Sequence, residues 1–400
     1  MQHLPARWGK AGACPVAVTT AFVVALLAAP LPAWAATFKA MLLVPADDPR
    51  LARSRLERGL LNMPTGPVAA ALKVALEESQ LELDAAGARL ELAVVSVADA
   101  AAARAVAAAA EKAGAAALVA DLPATWLLAA ADATRLPLLN VGASADTLRQ
   151  ADCRRNLWHL ALSDRMRSDA LAQALVMRRW SKVLLLTGPS AEDQLRSATV
   201  QASIQRYGLK LVANKPFKLS ADPRERELAN TRLLTQGDYD VVWVVDSDGE
   251  FAAGVPYRTA LPRPVVGDGG LQAVAWSPRF DRFGAPQVTR RLSKSAGRPM
   301  GAHDWSVWMA GKALVAAAAA APKGPLAAFQ KALSDGELDG SKGVLMGFRP
   351  WDGQLRQPVM LSDGASVVDM APGEGVLHPK NNLDTLGADA PEKLCKARAS

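Results

Sequence analysis

Residues 116–140 read AALVADLPATWLLAAADATRLPLLN, and this stretch decides the fold class. The run 116–120 is short and wholly apolar, the mark of a strand covered on both faces. Asp121 and Pro123 close it, and the apolar residues of 124–133 predict a short helix. A second apolar run, 136–140, predicts the next strand. A strand, a helix and a strand in so few residues imply a parallel pair joined by a right-handed crossover.

The alternation continues toward the N-terminus. A strand is predicted over 37–44, ended by Pro45, then a charged excursion over 50–58, a helix over 68–83, a strand over 90–97 and an Ala-rich helix over 98–113. Alanine is the strongest helix former, so the low-complexity look of that segment reads as helix rather than disorder. Toward the C-terminus a second round begins with a helix over 163–180, N-capped by Ser163. A nearly all-apolar strand follows at 182–187, then a helix over 191–207 stopped by Gly208 and a strand over 210–216. The round closes with a helix over 224–236, a strand at 240–245 and a shorter one at 264–267.

An irregular stretch runs to Gly297, followed by a long apolar helix at 303–321 and a shorter one at 326–333. The extended runs 344–349 and 354–361 flank Pro350-Trp351-Asp352-Gly353, and Asp-Gly in that setting predicts a hairpin turn. The expected fold is α/β, with two doubly wound lobes joined by hinge crossovers. The first lobe spans 36–150, with return elements at about 298–335. The second spans 151–297, with the late hairpin at about 343–362, and a Pro- and Gly-rich tail over 371–400 is expected to wrap the surface. Open sheets of this kind bind ligands at the carboxyl ends of their strands.

The first 35 residues carry a different signal. Arg7 and Lys10 precede an apolar run over 16–29 bounded by Pro15 and Pro30, and Ala33-Trp34-Ala35 supplies a small-x-small cleavage site. This pattern is that of a cleavable export signal, and the run is too short to span a bilayer. Cleavage near Ala35 would place the mature protein in the periplasm. It would also remove Cys14 and two positive charges from a net charge of +7. The pair that remains, Cys153 and Cys395, favours a disulfide over two separated thiols in an oxidising compartment.

Several function classes find no support. The basic excess is spread along the chain without a basic block, so no nucleic-acid partner is expected. His159, His303 and His378 are isolated, read as surface or capping residues, and form no metal-ligand spacing. A nucleophile elbow, a Walker loop and a G-x-G-x-x-G fingerprint are all missing from the sequence. Gly267-Asp268-Gly269-Gly270 follows a strand, but no dinucleotide-binding helix opens after it. No cofactor and no enzymatic activity are expected.

Polar residues instead gather where the predicted strands end. The first lobe offers Asp47 and Asp48, Asp121 with Thr125, and Asn140 with Gly142 and Ser144. The second offers Ser190, Asp246 with Ser247 and Asp248, and Asp268. Helix N-capping accounts for many of these. A cleft that prefers a cationic or hydroxyl-rich ligand accounts for the rest. On that reading Asp246→Ala removes the response to ligand and spares the ligand-free fold. Trp243, Trp276 and Tyr257 are either packing or stacking residues.

The order of elements resembles the type I periplasmic solute-binding proteins, the group that includes the branched-chain amino-acid binders. LVADLPATWLLAAADATRLPLLNVGASADTL (118–148) is similar to their third and fourth strands, and RRNLWHLALSDRMRSDALAQALVMRRWSKVLLLTGP (154–189) to their crossing into the second lobe. DYDVVWVVDSDGEF (238–251) resembles the strand whose end supplies an acidic ligand contact, and GFRPWDGQLRQPVML (347–361) resembles their late hairpin. The resemblance covers nearly the whole chain beyond residue 35 and rests on order and spacing more than on any one motif.

A narrower resemblance is carried by ADDPR (46–50), NVGA (140–143), ADCRRN (151–156), AGRPM (296–300) and FRPWDGQLRQP (348–358). These strings look like a subgroup of ABC-transporter substrate-binding proteins associated with pyrroloquinoline quinone-dependent alcohol dehydrogenase systems. The resemblance implies a small-molecule ligand, an inner-membrane ABC permease as partner, and a functional link to such a dehydrogenase. By position it carries ligand contacts onto Thr125, Asn140, Gly142, Ser144 and Asp246. Asp121 stands where amino-acid binders place a carboxylate-binding Gly/Ser loop, and so argues against an amino-acid ligand. The competing reading is a non-transport accessory or sensor protein of the same alcohol oxidation system.

Overall fold

Two parallel sheets form the frame, and their central strands are the all-apolar runs of the sequence. The computed structural model describes residues 36–398 apart from Asn62, so the expected export signal lies outside the described residues. The first sheet comprises β1 (Ala36–Pro45), β2 (Ala88–Val97), β3 (Ala117–Ala120), β4 (Leu138–Asn140) and β5 (Leu157–His159). Its strand order is β2-β1-β3-β4-β5, parallel throughout. Every residue of β3 and β4 is buried, whereas β2 at the edge is half exposed.

The second sheet contains β6 (Lys182–Thr187), β7 (Lys210–Pro216), β8 (Val241–Val245) and β9 (Val265–Gly267), in the parallel order β7-β6-β8-β9. β8 is buried along its whole length and β7, at the edge, is largely open. In both sheets the strand order reverses once, between β1 and β3 and between β6 and β8. Such a reversal opens a crevice at the carboxyl ends of the strands, where helices leave in opposite directions.

A third sheet is antiparallel: β10 (Gln272–Val274) pairs with β13 (Val359–Ser362), which pairs with β14 (Val367–Ala371). A two-residue ladder joins β11 (Leu338–Asp339) to β12 (Leu345–Met346). The helix Ala302–Ala320 returns to the first lobe and packs on the helix Ala69–Glu78. Gly311 permits that approach, since a Cβ there would stand 2.5 Å from the Ala75 methyl.

The lobes differ from the sequence reading in five places. The first sheet takes β5 from beyond residue 150, and the helix Ala285–Ala296, from the stretch read as irregular, also packs on Ala69–Glu78, with Arg291 donating to Glu78 at 2.7 Å. The helix expected over 68–83 breaks at Ser79, whose buried hydroxyl accepts from Lys312 Nζ at 2.9 Å. The helix expected over 224–236 is a 3-10 turn, Pro223–Ala229, and a single turn, Thr231–Leu234, because Asn230 caps in mid-segment. The Asp352-Gly353 turn forms, but its flanks pair only at the Phe348–Leu355 bridge, and β12 and β13 pair elsewhere.

Two crossing segments lie side by side between the lobes. His159 and Gln354 form a parallel bridge, with His159 N donating to Gly353 O and Leu355 N to His159 O, both at 2.8 Å. Gln354 Nε2 donates to the carbonyls of His159 and Ala161, and Gln357 Nε2 to that of Leu160. His159 is fully buried here, not a surface residue, and burial pushes its pKa well below the usual histidine value.

The tail does more than wrap the surface. Leu383, Leu386 and Ala388 are buried, and the fully buried Arg349 binds Asp384 at 2.9 Å and the carbonyls of Leu383 and Leu386. Asp169, at 0 % exposure, accepts from Gly387 N at 2.9 Å and from Arg206 at 3.0 Å. Cys153 and Cys395 are disulfide-bonded, with their Cα atoms 5.7 Å apart.

Candidate functional site

The reversal points of the two sheets meet at one cavity of about 330 Å³. The first lobe lines it with the loop after β1 (Arg50, Leu61, Met63, Pro64), the loop after β4 (Gly142, Ser144) and His303 at the start of its return helix. The second lobe supplies Asp164, Arg167, Ser168 and Leu171 from the helix Asp164–Met177, and Glu192, Arg196 and Val200 from the helix Ala191–Arg206. The ends of β8 and β9 add Trp243, Asp246, Ser247, Gly249 and Asp268, and β10 adds Gln272 and Ala273. The volume suits a small organic molecule.

Of the eight residues expected to contact ligand, Gly142, Ser144, Asp246, Ser247 and Asp268 line this cavity. Asp121, Thr125 and Asn140 do not. Thr125 is exposed at the start of the helix Ala124–Ala131. Asn140 shapes the loop behind the wall: its Oδ1 accepts from Gly142 N and Ala143 N, and its Nδ2 donates to Ala143 O at 2.8 Å. Asp121 sits beneath Gly142 and holds Arg50 in a two-point ion pair at 2.8 and 3.1 Å. Asp48 grips the same guanidinium at 2.9 Å. Burial works against the charge on Arg50, and the two carboxylates outweigh it, raising its pKa. Asp121 therefore presents a cation to the cavity instead of repelling an anion from it.

The second-lobe acids are similarly committed. Asp268 Oδ2 accepts from Asp246 N at 2.7 Å, and its Oδ1 binds Arg196 at 2.7 Å. Asp246 Oδ2 accepts from Ala252 N at 2.9 Å, and burial raises the Asp246 pKa against that help. Asp193 holds Ser247 N at 2.6 Å and closes a capping box with Ser190. The glycines of Gly267-Asp268-Gly269-Gly270 make this turn by close backbone approach: a Cβ would meet Val244 O at 2.2 Å, Ala252 O at 2.4 Å and Val265 O at 2.2 Å, respectively. That string delivers Asp268 to the cavity wall.

Residues that the sequence reading missed carry much of the remaining polarity. Arg167 and Arg196 are invisible to motif reasoning because which face of a helix meets the cleft depends on how the helix docks. Arg50 lies in the charged excursion, and its partner Asp121 is 71 residues away. His303 is half-buried against the cavity, where desolvation, reinforced by Arg50 and Arg167, pushes its pKa down to about 4. It is therefore neutral at pH 7 and able to donate or accept a hydrogen bond. Across the cleft, Arg53 of the first lobe binds both the carboxylate and the carbonyl of Asp248 in the second. Among the described residues no cluster of His, Cys, Asp or Glu could hold a metal ion, and no helix is long and apolar enough to cross a membrane.

No family model matches the chain, and no curated protein matches it. Solved structures do. An ABC transporter substrate-binding protein from Sphaerobacter thermophilus superposes with a TM-score of 0.66 at 16% identity, covering 84% of this chain and 98% of its own. A periplasmic binding protein from Burkholderia mallei gives 0.63 at 14% identity, over 91% and 99%. An R. palustris ABC-transporter solute-binding protein in complex with benzoate gives 0.60 at 14% identity, over 82% and 93%. At these identities the likeness is one of architecture, and the chain has the two-lobed α/β fold of type I periplasmic binding proteins.

Proposed function

We propose that this protein is the periplasmic substrate-binding component of an ABC transporter, capturing a small solute and presenting it to an inner-membrane permease. One observation carries the reading: a single cavity whose walls are shared between two lobes, at the carboxyl ends of both sheets. A solute held there touches both lobes and so favours the closed arrangement over an open one. The crossing segments around His159 and Gln354 supply the hinge, and Arg53–Asp248 is a contact that opening would break. The mechanism is binding alone, with no covalent step. The strings shared with alcohol-dehydrogenase-associated binding proteins support a solute connected with alcohol oxidation.

The decisive measurement is uptake in a strain lacking the protein. Loss of uptake of the solute, restored by re-expression, is expected; undiminished uptake would move the protein to an accessory or sensory role. In vitro, the solute should shrink the radius of gyration measured by small-angle scattering.

A further inference from the structure

The charged groups of the cavity divide by whether the protein itself satisfies them. Arg50 is held by Asp48 and Asp121, and Arg196 by Asp268, with Asp164 at 3.8 Å. Asp246 caps the turn at Ala252. Arg167 stands apart. Its side chain makes no hydrogen bond or ion pair among the described residues, and its Nε is sealed from solvent without a partner. Desolvation works against its charge, Asp164, Asp268 and Glu192 offset that only in part, and its Nε is left without an acceptor. Burial also pushes its pKa below the usual arginine value.

Arg167 lies on the cavity-facing side of its helix, together with Ser168 and Leu171. The other lobe brings neutral His303 and the apolar Met63 and Pro64 to the same space. We propose that Arg167 is the anchor for the carboxylate of a small organic acid, and that singly charged organic acids are the solute class of this cavity. This rests on the binding-protein reading above. A guanidinium offers parallel N–H donors that match a carboxylate at two points. Asp164, Glu192, Asp246 and Asp268 also line the cavity. Against them stand Arg50, Arg167 and Arg196, so the lining holds no surplus of positive charge: an anion must rely on the N–H donors of Arg167, and a dianion such as phosphate or sulfate is disfavoured. A cationic solute would find Asp246 and Asp268 already engaged by hydrogen bonds, with Asp164 3.8 Å from Arg196 and Glu192 exposed at the rim.

The test uses the purified protein and matched probes: benzoate and hexanoate, their amides, alcohols and amines, and inorganic phosphate, read by thermal shift and isothermal calorimetry. At least one acid is expected to bind while its amide, alcohol and amine do not. Arg167→Gln should weaken that acid about 100-fold, the scale for removing one partner of a buried hydrogen-bonded charge pair. The same variant should match or exceed the wild-type ligand-free melting temperature, because a half-buried guanidinium without a hydrogen-bond partner is gone. Arg167→Lys keeps the charge, loses the fork and should fall between the two. Glu192→Gln should tighten the acid a few-fold, since it removes a competing carboxylate.

Undiminished acid binding by Arg167→Gln overturns the anchor, as does weakened acid binding in Glu192→Gln. Binding of an amine, alcohol or amide in place of the acid overturns it too, while leaving the binding-protein reading intact. A panel in which nothing binds also overturns it, and uptake in the deletion strain then decides the broader reading alone.

Discussion

At the scale of single residues, the side chains that the sequence marks as a ligand-contacting rim mostly hold one another. Asp246 is the clearest case. As a free rim acid its loss would spare the ligand-free fold, but its carboxylate accepts from Ala252 N. Asp246→Ala is therefore expected to lower stability by about 1 kcal/mol, the usual cost of a lost capping acceptor, and Asp246→Asn to recover most of it. Urea denaturation of the ligand-free protein measures both; an unchanged midpoint in the alanine variant would return Asp246 to the role of a free ligand contact. The short strings that carry the narrower resemblance are largely structural as well. ADDPR supplies the Asp48–Arg50 grip, NVGA the Asn140 loop, AGRPM the buried Arg298–Asp304 pair and FRPWDGQLRQP the Arg349–Asp384 lock.

At the scale of elements, strands were legible and their ends nearly so. The runs behind β3, β6 and β8 are apolar because both faces are covered, and this leaves a mark in any single sequence. Positions just past β4, β8 and β9 follow directly, which is why Gly142, Ser144, Asp246, Ser247 and Asp268, which line the cavity, were nameable from sequence. Arg167, Arg196 and His303 were not, since a helix exposes several faces and only tertiary docking selects one. β5 escaped because three residues carry no periodicity, and the break at Ser79 because no glycine or proline announces it.

The glycine turn after β9 offers an element-level test. Gly270 has φ +67° and a Cβ there would lie 2.2 Å from Val265 O, whereas Gly364 has φ +85° and nothing within 4 Å. Both alanine variants meet the left-handed penalty of about 1–2 kcal/mol. Only Gly270→Ala must also move backbone, so it should cost roughly 3 kcal/mol in total, with Gly364→Ala near 1. Equal losses on chemical denaturation would contradict the close approach.

At the scale of the whole molecule, the two lobes share one cavity, one pair of adjacent crossing segments and a C-terminal segment packed against the helix that carries Arg167. The Cys153–Cys395 bond spans a sequence separation of 242 and so turns most of the chain into a covalent ring. The ring contains the whole second sheet, the return helices and all of the antiparallel sheet. A ring tolerates a cut that a linear chain does not. Limited trypsin should act in the exposed Pro223–Ala229 turn, where the Arg224 side chain is 89% exposed. The nicked protein should still run as one molecule on a non-reducing gel and part into two pieces only when a reductant is added. Pieces that separate without reductant would mean the ring is open in solution. A single proteolytic scission in that turn would then leave a wounded but undivided protein, with both walls of its cavity still tethered.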